Sequence, residues 1–211
     1  HELPEDARLA CILSGANLNF HSLRYISERA ELGERREALL GVTIPERQGE
    51  YLRFCKLIGD RAVTEFNYRV AGEKAHIFVG LALSGGDAER GQILKLLRGG
   101  GYEVVDLTED EVAKQHVRYM VGGRPQRELR ESVFAFEFPE APGALRDFLV
   151  QLGTRWNITL FHYRSYGTDY GRVLVAFENV AGDELFAQHV QDLGYEWHEV
   201  TDSPAYKHFL A

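Results

Sequence analysis

The chain writes one pattern twice. VTIPERQG (42–49) and FEFPEAPG (136–143) each pass from β-like residues through Pro-Glu to a glycine that opens a helical stretch. An internal repeat constrains the architecture before any local propensity does, since each copy has to be one folding unit. The match continues at a single offset: Pro45, Glu46, Gly49, Phe54 and Gly59 correspond to Pro139, Glu140, Gly143, Phe148 and Gly153. One inserted residue later, FNYR (66–69) matches FHYR (161–164). IFVGL (77–81) then faces VLVAF (173–177), and GYEVVDLTED (101–110) faces GYEWHEVTD (194–202). Chance accounts for one tetrapeptide, not for a series in the same order.

Both copies carry the same element order. The first strand alternates with period 2, as in Phe134, Phe136 and Phe138. A helix follows, with Tyr51, Phe54, Cys55 and Ile58 in copy one and Leu145, Phe148, Leu149 and Leu152 in copy two at i, i+3, i+4, i+7 spacing. Two strands come next (61–70 and 75–83; 156–165 and 171–178), turning near Ala71-Gly72 and Tyr166-Gly167-Thr168-Asp169. A second helix covers residues 87–98 and 182–192, and a last strand begins at Tyr102 and Tyr195. The order β-α-β-β-α-β is the split βαβ or ferredoxin-like unit, an α+β fold with both helices on one face of an antiparallel sheet. A second copy either covers the other face or extends the sheet sideways.

Residues 22–40 read as a helix capped by Ser22, residues 109–119 as another short helix, and residues 7–14 as a short strand. Gly122-Gly123-Arg124-Pro125 breaks the pattern between the copies. The expected organisation is a leading strand and helix (1–40), module 1 (41–121), a linker (122–130) and module 2 (131–211).

Bulk properties narrow the partners. With 211 residues, 45% of them hydrophobic, the chain can bury a core. A formal net charge of −8 argues against nucleic acid and against an anionic membrane surface. No apolar run approaches the ~20 residues of a membrane span, and HELPEDARLA lacks the basic flank of a signal peptide. Cys11 and Cys55 form no motif, which fits a reduced, cytoplasmic setting. The first residue is His, so the chain reads as a fragment of something longer.

The junction glycines suggest chemistry. Without a Cβ the backbone can approach a ligand, and the helix that follows offers unpaired N–H groups and partial positive charge. A small carboxylate suits that place better than a phosphate, because no GxxxxGK(S/T) or GxGxxG is present. The plain alternative is that Gly49 and Gly143 only allow a tight turn. Tyr68 and Tyr163 occupy equivalent strand positions, each on the face of Phe66 or Phe161. An apolar ring with a hydroxyl tip suits an amino-acid side chain, while ordinary sheet packing explains the same residues. His116, His162, His198 and His208 show no metal-ligand spacing. Glu46 and Glu140 lack a nucleophile partner and read as charges supporting the helix start. RNA stacking is disfavoured by the charge and by the lack of an RNP pattern. Glu109-Asp110-Glu111 reads as a solvated helix start.

VTIPE…G, TEFNYR, HVRYMVGGR (116–124), FEFPEAPGAL (136–145), RWNITLFHYRSYGTDYGRVL (155–174) and the ending PAYKHFLA resemble the regulatory region of biosynthetic threonine ammonia-lyase (threonine dehydratase), over residues 7–211. The resemblance implies two ACT-like modules that bind isoleucine as feedback inhibitor and valine as activator. It implies a full enzyme, commonly a homotetramer, that uses pyridoxal phosphate to convert threonine to 2-oxobutanoate and ammonia. SGANLNF (14–20) then looks like the last strand of the catalytic domain, with Ser14 at the position that contacts the cofactor's pyridine nitrogen. The Schiff-base lysine and phosphate loop are not in this chain, so no catalysis by it alone is expected. SLRYISERAELGERREALL looks like the neck helix joining the two parts. By the same resemblance Tyr68 and Tyr163 belong to two effector sites, Arg118 and Arg164 match positions linked to loss of feedback inhibition, and Gly49, Tyr51 and Leu145 match junction positions where feedback resistance arises; Glu50, Gly143 and Ala144 complete the two expected effector junctions. Position 51 is Tyr here, where relatives also carry Phe.

Three other readings predict different things. A stand-alone amino-acid-binding module needs no catalytic domain. A small ferredoxin-like enzyme needs an acid and a base in one pocket. An oligomerisation platform needs only the exposed edges of its sheet.

Overall fold

The computed structural model describes residues 20–70, 72–120, 122, 124–125, 127–139, 141–165 and 170–211. The expected strand at 7–14, Ser14 and the turn at 166–169 lie outside them. Helix α1 (Phe20–Gly33) is followed by β1 (Glu37–Pro45), α2 (Glu50–Ile58), β2 (Val63–Arg69), β3 (Lys74–Ala82), α3 (Gly86–Gly99), β4 (Glu103–Asp106) and α4 (Glu111–Gln115). Module 2 repeats the core order as β5 (Glu131–Pro139), α5 (Ala144–Leu152), β6 (Ile158–Arg164), β7 (Tyr170–Glu178), α6 (Glu184–Asp192) and β8 (Glu196–Glu199). It closes with α7 (Pro204–Phe209).

The repeats extend one sheet sideways. All eight strands hydrogen-bond in the order β4-β1-β3-β2-β6-β7-β5-β8. Each half has the ferredoxin-like order, and the halves meet where β2 pairs antiparallel with β6, Phe66 opposite Tyr163 and Tyr68 opposite Phe161. The period-2 pattern then sorts the faces. Leu40, Val42, Ile44, Phe66, Tyr68, Phe134, Phe136, Phe138, Phe161 and Tyr163 point into one core shared with the buried stripes of α2, α3, α5 and α6. α2 and α5 lie side by side over the pseudo-twofold between the modules.

The opposite face gets its own small covers. Ala113 of α4 packs on Leu39 and Phe78, and Tyr206 of α7 packs on Val133, Leu160 and Ala176. The C-terminal helix α7 was not foreseen in the sequence reading. Two expectations need correction. The helix expected at 22–40 stops at Gly33, and Ser22 lies inside α1 rather than capping it. Arg35 turns the chain at φ 57. Glu37–Leu40 then join the sheet, with Leu40 opposite both Val79 and Asp106. Residues 109–119 split into α4 and a short 3-10 turn at Val117–Tyr119.

Candidate functional site

The strand-to-helix junctions are built alike. Gly49 (φ 84) and Gly143 (φ 83) both take the left-handed conformation that L-residues enter at a cost of about 1–2 kcal/mol. No side chain caps α2 or α5. Asp110 and Asp183 do cap α4 and α6. Glu50 N and Ala144 N donate to the Arg47 and Ala141 carbonyls at 3.0 Å, and the next amides of each first turn have neither an intrahelical acceptor nor a cap.

Each junction leans on the other module. A Cβ on Gly49 would stand 3.3 Å from Thr154 Cγ2, and one on Gly143 would stand 3.0 Å from Asp60 Oδ1. Gln48 donates to the carbonyls of Thr154 and Arg155, the latter at 2.7 Å, and Arg146 pairs with Asp60. Two composite cavities result. The module-2 junction (Ala141–Gly143, Leu145, Arg146, Tyr163) faces the end of α2 and the start of β2 (Ile58, Arg61, Val63) across a cavity of 310 Å³. The module-1 junction (Ile44–Arg47, Gly49, Tyr51, Tyr68) faces the end of α5 and the start of β6 (Leu149, Thr154, Trp156, Ile158) across one of only 30 Å³.

The smaller cavity is filled by rings and holds polar groups. Tyr51 sits 5.0 Å from Phe66, 5.4 Å from Tyr68 and 5.2 Å from Phe161, centroid to centroid. The Tyr68 hydroxyl donates to Glu46 Oε1 at 2.7 Å and lies 3.1 Å from the Ile158 carbonyl. Burial holds the Glu46 carboxyl above its ordinary pKa, while the Tyr68 hydrogen bond and the Arg127 charge pull it back. Burial also raises the Tyr51 and Tyr68 hydroxyls, so both stay protonated. Among the described residues no cluster of His, Cys, Asp and Glu could hold a metal ion.

The other sheet face carries an ion-pair network across the module boundary. Arg69 of β2 holds Glu131 of β5 bidentately at 2.6 and 3.0 Å. Arg164 of β6 reaches Glu65 of β2 at 3.1 Å. Arg118 joins that same carboxylate at 3.2 Å and Glu37 at 3.3 Å. Burial pushes Glu65 up to about 7 despite both guanidinium groups, and pushes His162 down to about 4.

The family model for the C-terminal regulatory domain of threonine dehydratase matches residues 28–117 and 122–210, one match per module. The chain belongs to that family. The biosynthetic L-threonine dehydratase IlvA of Escherichia coli K12 is 63% identical over 205 residues, 97% of this chain and 40% of that enzyme. The mitochondrial threonine dehydratase of Saccharomyces cerevisiae is 42% identical over 209 residues, 94% of this chain and 36% of the yeast protein. The chain thus spans 40% of the length of its bacterial relative. The ligand-free regulatory subunit of aspartate kinase from Thermus thermophilus aligns over 74% of this chain and 92% of its own at 12% identity and TM-score 0.31, too loosely to carry argument.

Within this regulatory domain, the residues named from sequence fall into three groups. Gly49, Tyr51 and Tyr68 line one cavity, and Gly143, Leu145 and Tyr163 line the other. Glu50 and Ala144 open the same helices without lining either cavity, and Glu50 accepts from Tyr102 at 2.8 Å. Arg118 and Arg164 lie on the opposite face, in the ion-pair network. Arg164 follows Tyr163 along the strand and so points away from the cavity that Tyr163 lines. Ser14 lies outside the described residues. Two features escaped the sequence reading. Glu46 does not merely support a helix start, since it is the partner of Tyr68. Each site also takes walls from both modules, which the matched glycines Gly59 and Gly153 at the ends of α2 and α5 could have signalled.

Proposed function

We propose that this chain is the amino-acid sensor of a threonine dehydratase, taking L-isoleucine as inhibitor and L-valine as activator at the two junctions between its modules. The observation that carries the reading is the twofold repetition of one composite cavity. Each copy joins a glycine-opened, uncapped helix to a strand tyrosine and to apolar residues of the other module. A branched amino acid complements that arrangement. Its carboxylate meets the first turn of the helix, and its side chain meets a lining such as Ile58, Val63 and Leu145.

Regulation follows from the walls belonging to both modules. A ligand shifts an equilibrium only by its differential affinity for two packings, and coupling energies run about 1–3 kcal/mol. The relay we assign runs from the β2–β6 boundary through Arg164, Glu65 and Arg118 to the segment after α4, and on to α1 through the 2.9 Å contact of Arg29 with Glu111. α1 is the neck toward a preceding catalytic domain. That domain would deaminate threonine to 2-oxobutanoate with pyridoxal phosphate, toward which this chain offers only Ser14. Turnover by this chain alone is not expected. Assembly as a homotetramer in the cytoplasm belongs to the same proposal. No helix among the described residues is long and apolar enough to cross a membrane.

Calorimetric titration with L-isoleucine and L-valine, with L-threonine as control, tests the reading. Tyr68→Ala and Tyr163→Ala should each weaken branched-chain binding at its own junction by tenfold or more, about 1.4 kcal/mol. Unchanged isoleucine affinity in both variants would remove the assignment.

A further inference from the structure

Two polar atoms in the module-1 junction are buried without a partner: Glu46 Oε2 and the Tyr51 hydroxyl. Tyr51 is 7% exposed. Both residues line the same 30 Å³ cavity. Buried polar groups in folded proteins are nearly always hydrogen-bonded, and a carboxylate oxygen lacking a donor is costly. The other oxygen, Oε1, is already taken by Tyr68. Arg127, whose charge reaches Glu46, is itself held bidentately by Glu178 at 2.7 and 3.0 Å. Glu46 also lines two open clefts of 470 and 540 Å³ beside the small cavity, so a ligand has a way in. A carboxylate wanting a cationic donor therefore stands three residues before the glycine that opens an uncapped nine-residue helix.

Acceptor and donor at that spacing match a zwitterionic head group. We infer that Glu46 receives the α-ammonium group of the amino acid bound at the module-1 junction, with the Tyr51 hydroxyl as a second polar contact and the first turn of α2 taking the carboxylate. The inference rests on the amino-acid reading above and deepens it: this junction selects a free amino acid over any other branched carboxylate. The ammonium bond to Glu46 is charge-assisted, and such bonds are about twice as strong as neutral ones.

The test uses a local probe. Trp156 lines this cavity, and Trp197 is the other tryptophan of the chain. Fluorescence in a Trp197→Phe background reads the junction, with calorimetry in parallel. The ligands are L-isoleucine and 3-methylpentanoate, which shares the side chain and carboxylate but lacks the amine. Isoleucine should be preferred by about 10- to 100-fold, the range of a hydrogen bond to a charged group. Glu46→Gln should cut that preference to about threefold or less, chiefly by weakening isoleucine. Tyr51→Phe should weaken isoleucine several-fold while raising the Tm of the ligand-free chain, because a buried unpaired hydroxyl is gone.

Equal affinity for the two ligands in the parent overturns the inference. So does an undiminished preference in a Glu46→Gln chain that melts like the parent. Heat without a Trp156 response places binding elsewhere and overturns the inference alone, leaving the effector reading in place. Neither heat nor fluorescence change with isoleucine overturns both.

Discussion

The two junctions share a backbone and differ in their first-turn side chains, Glu50-Tyr51-Leu52 against Ala144-Leu145-Arg146. Gly49 and Gly143 turn at φ 84 and 83, and both helices run nine residues to a glycine of positive φ. Yet α2 begins with a buried Tyr51 where α5 has Leu145. The aromatic ring occupies the module-1 junction and leaves 30 Å³, while the module-2 junction keeps 310 Å³. Duplication kept the scaffold, which many contacts hold in place. The contents of the cavity diverged, Tyr51 and Leu52 lining one junction and Leu145 and Arg146 the other. The inter-module ion pairs diverge similarly: Glu131 takes one arginine and Glu65 takes two.

Removing those arginines should produce the largest contrast. Arg69→Met leaves Glu131, whose side chain is 2% exposed, without a cation and with only the Thr159 and Tyr206 hydroxyls, and breaking such a pair costs about 3–5 kcal/mol. Arg164→Met should cost clearly less, about 1–3 kcal/mol, because Glu65 keeps Arg118. Urea unfolding of both variants measures the difference, and equal losses would deny that the second arginine compensates.

Exchanging the first-turn residues comes next. Tyr51→Leu should cost about 2–4 kcal/mol and open the module-1 cavity toward the size of its twin. Leu145→Tyr should narrow the module-2 cavity toward the size of its twin and shift ligand preference there toward that of module 1. Thermal melts and titrations of both variants test whether this one position sets the asymmetry. The glycines should show a smaller and nearly equal effect. Gly49→Ala and Gly143→Ala each force an L-residue to positive φ for about 1–2 kcal/mol, and a gap above about 1 kcal/mol between them would break the equivalence of the two turns.

The smallest effect is on pH dependence. Glu65 is raised to about 7 from 4.5, so the folded chain holds that proton where the unfolded chain has lost it, and stability falls as pH rises from 4.5 to 7. His162 is lowered to about 4 from 6.5, so the unfolded chain binds the extra proton, and stability rises with pH from 4 to 6.5. The two oppose each other where the windows overlap. Glu65→Gln should leave a net rise and His162→Gln a net fall, each on the order of 1 kcal/mol. Chemical denaturation at pH 4.5 and 6.5 reads the sign.

Much of this architecture is legible in the sequence. The repeated Pro-Glu-x-x-Gly and the i, i+3, i+4, i+7 stripes are local patterns, and they located the strands, the helices and both junctions. The overrun of the first helix shows the limit. Glu37-Ala38-Leu39-Leu40 extends a helical pattern as readily as it forms a strand, and only pairing with β3 and β4 decides between them. α7 is six residues long and draws its order from Tyr206 packing on β5, β6 and β7. The composite walls were not legible either, since they arise from β2 meeting β6, a contact between segments about a hundred residues apart. Arg118 and Arg164 could be named by resemblance, but their place behind the sheet required the strand alternation around Glu65 in three dimensions.

The most direct test of the central claim is where isoleucine's methyl groups lie. With ¹³C-labelled L-isoleucine and the unlabelled chain, intermolecular NOEs should connect the ligand methyls to both modules at the module-1 junction, to Tyr51 or Tyr68 on one side and to Leu149 or Ile158 on the other. Contacts confined to one module, or to the face bearing Arg69 and Arg164, would contradict an effector site built between the repeats.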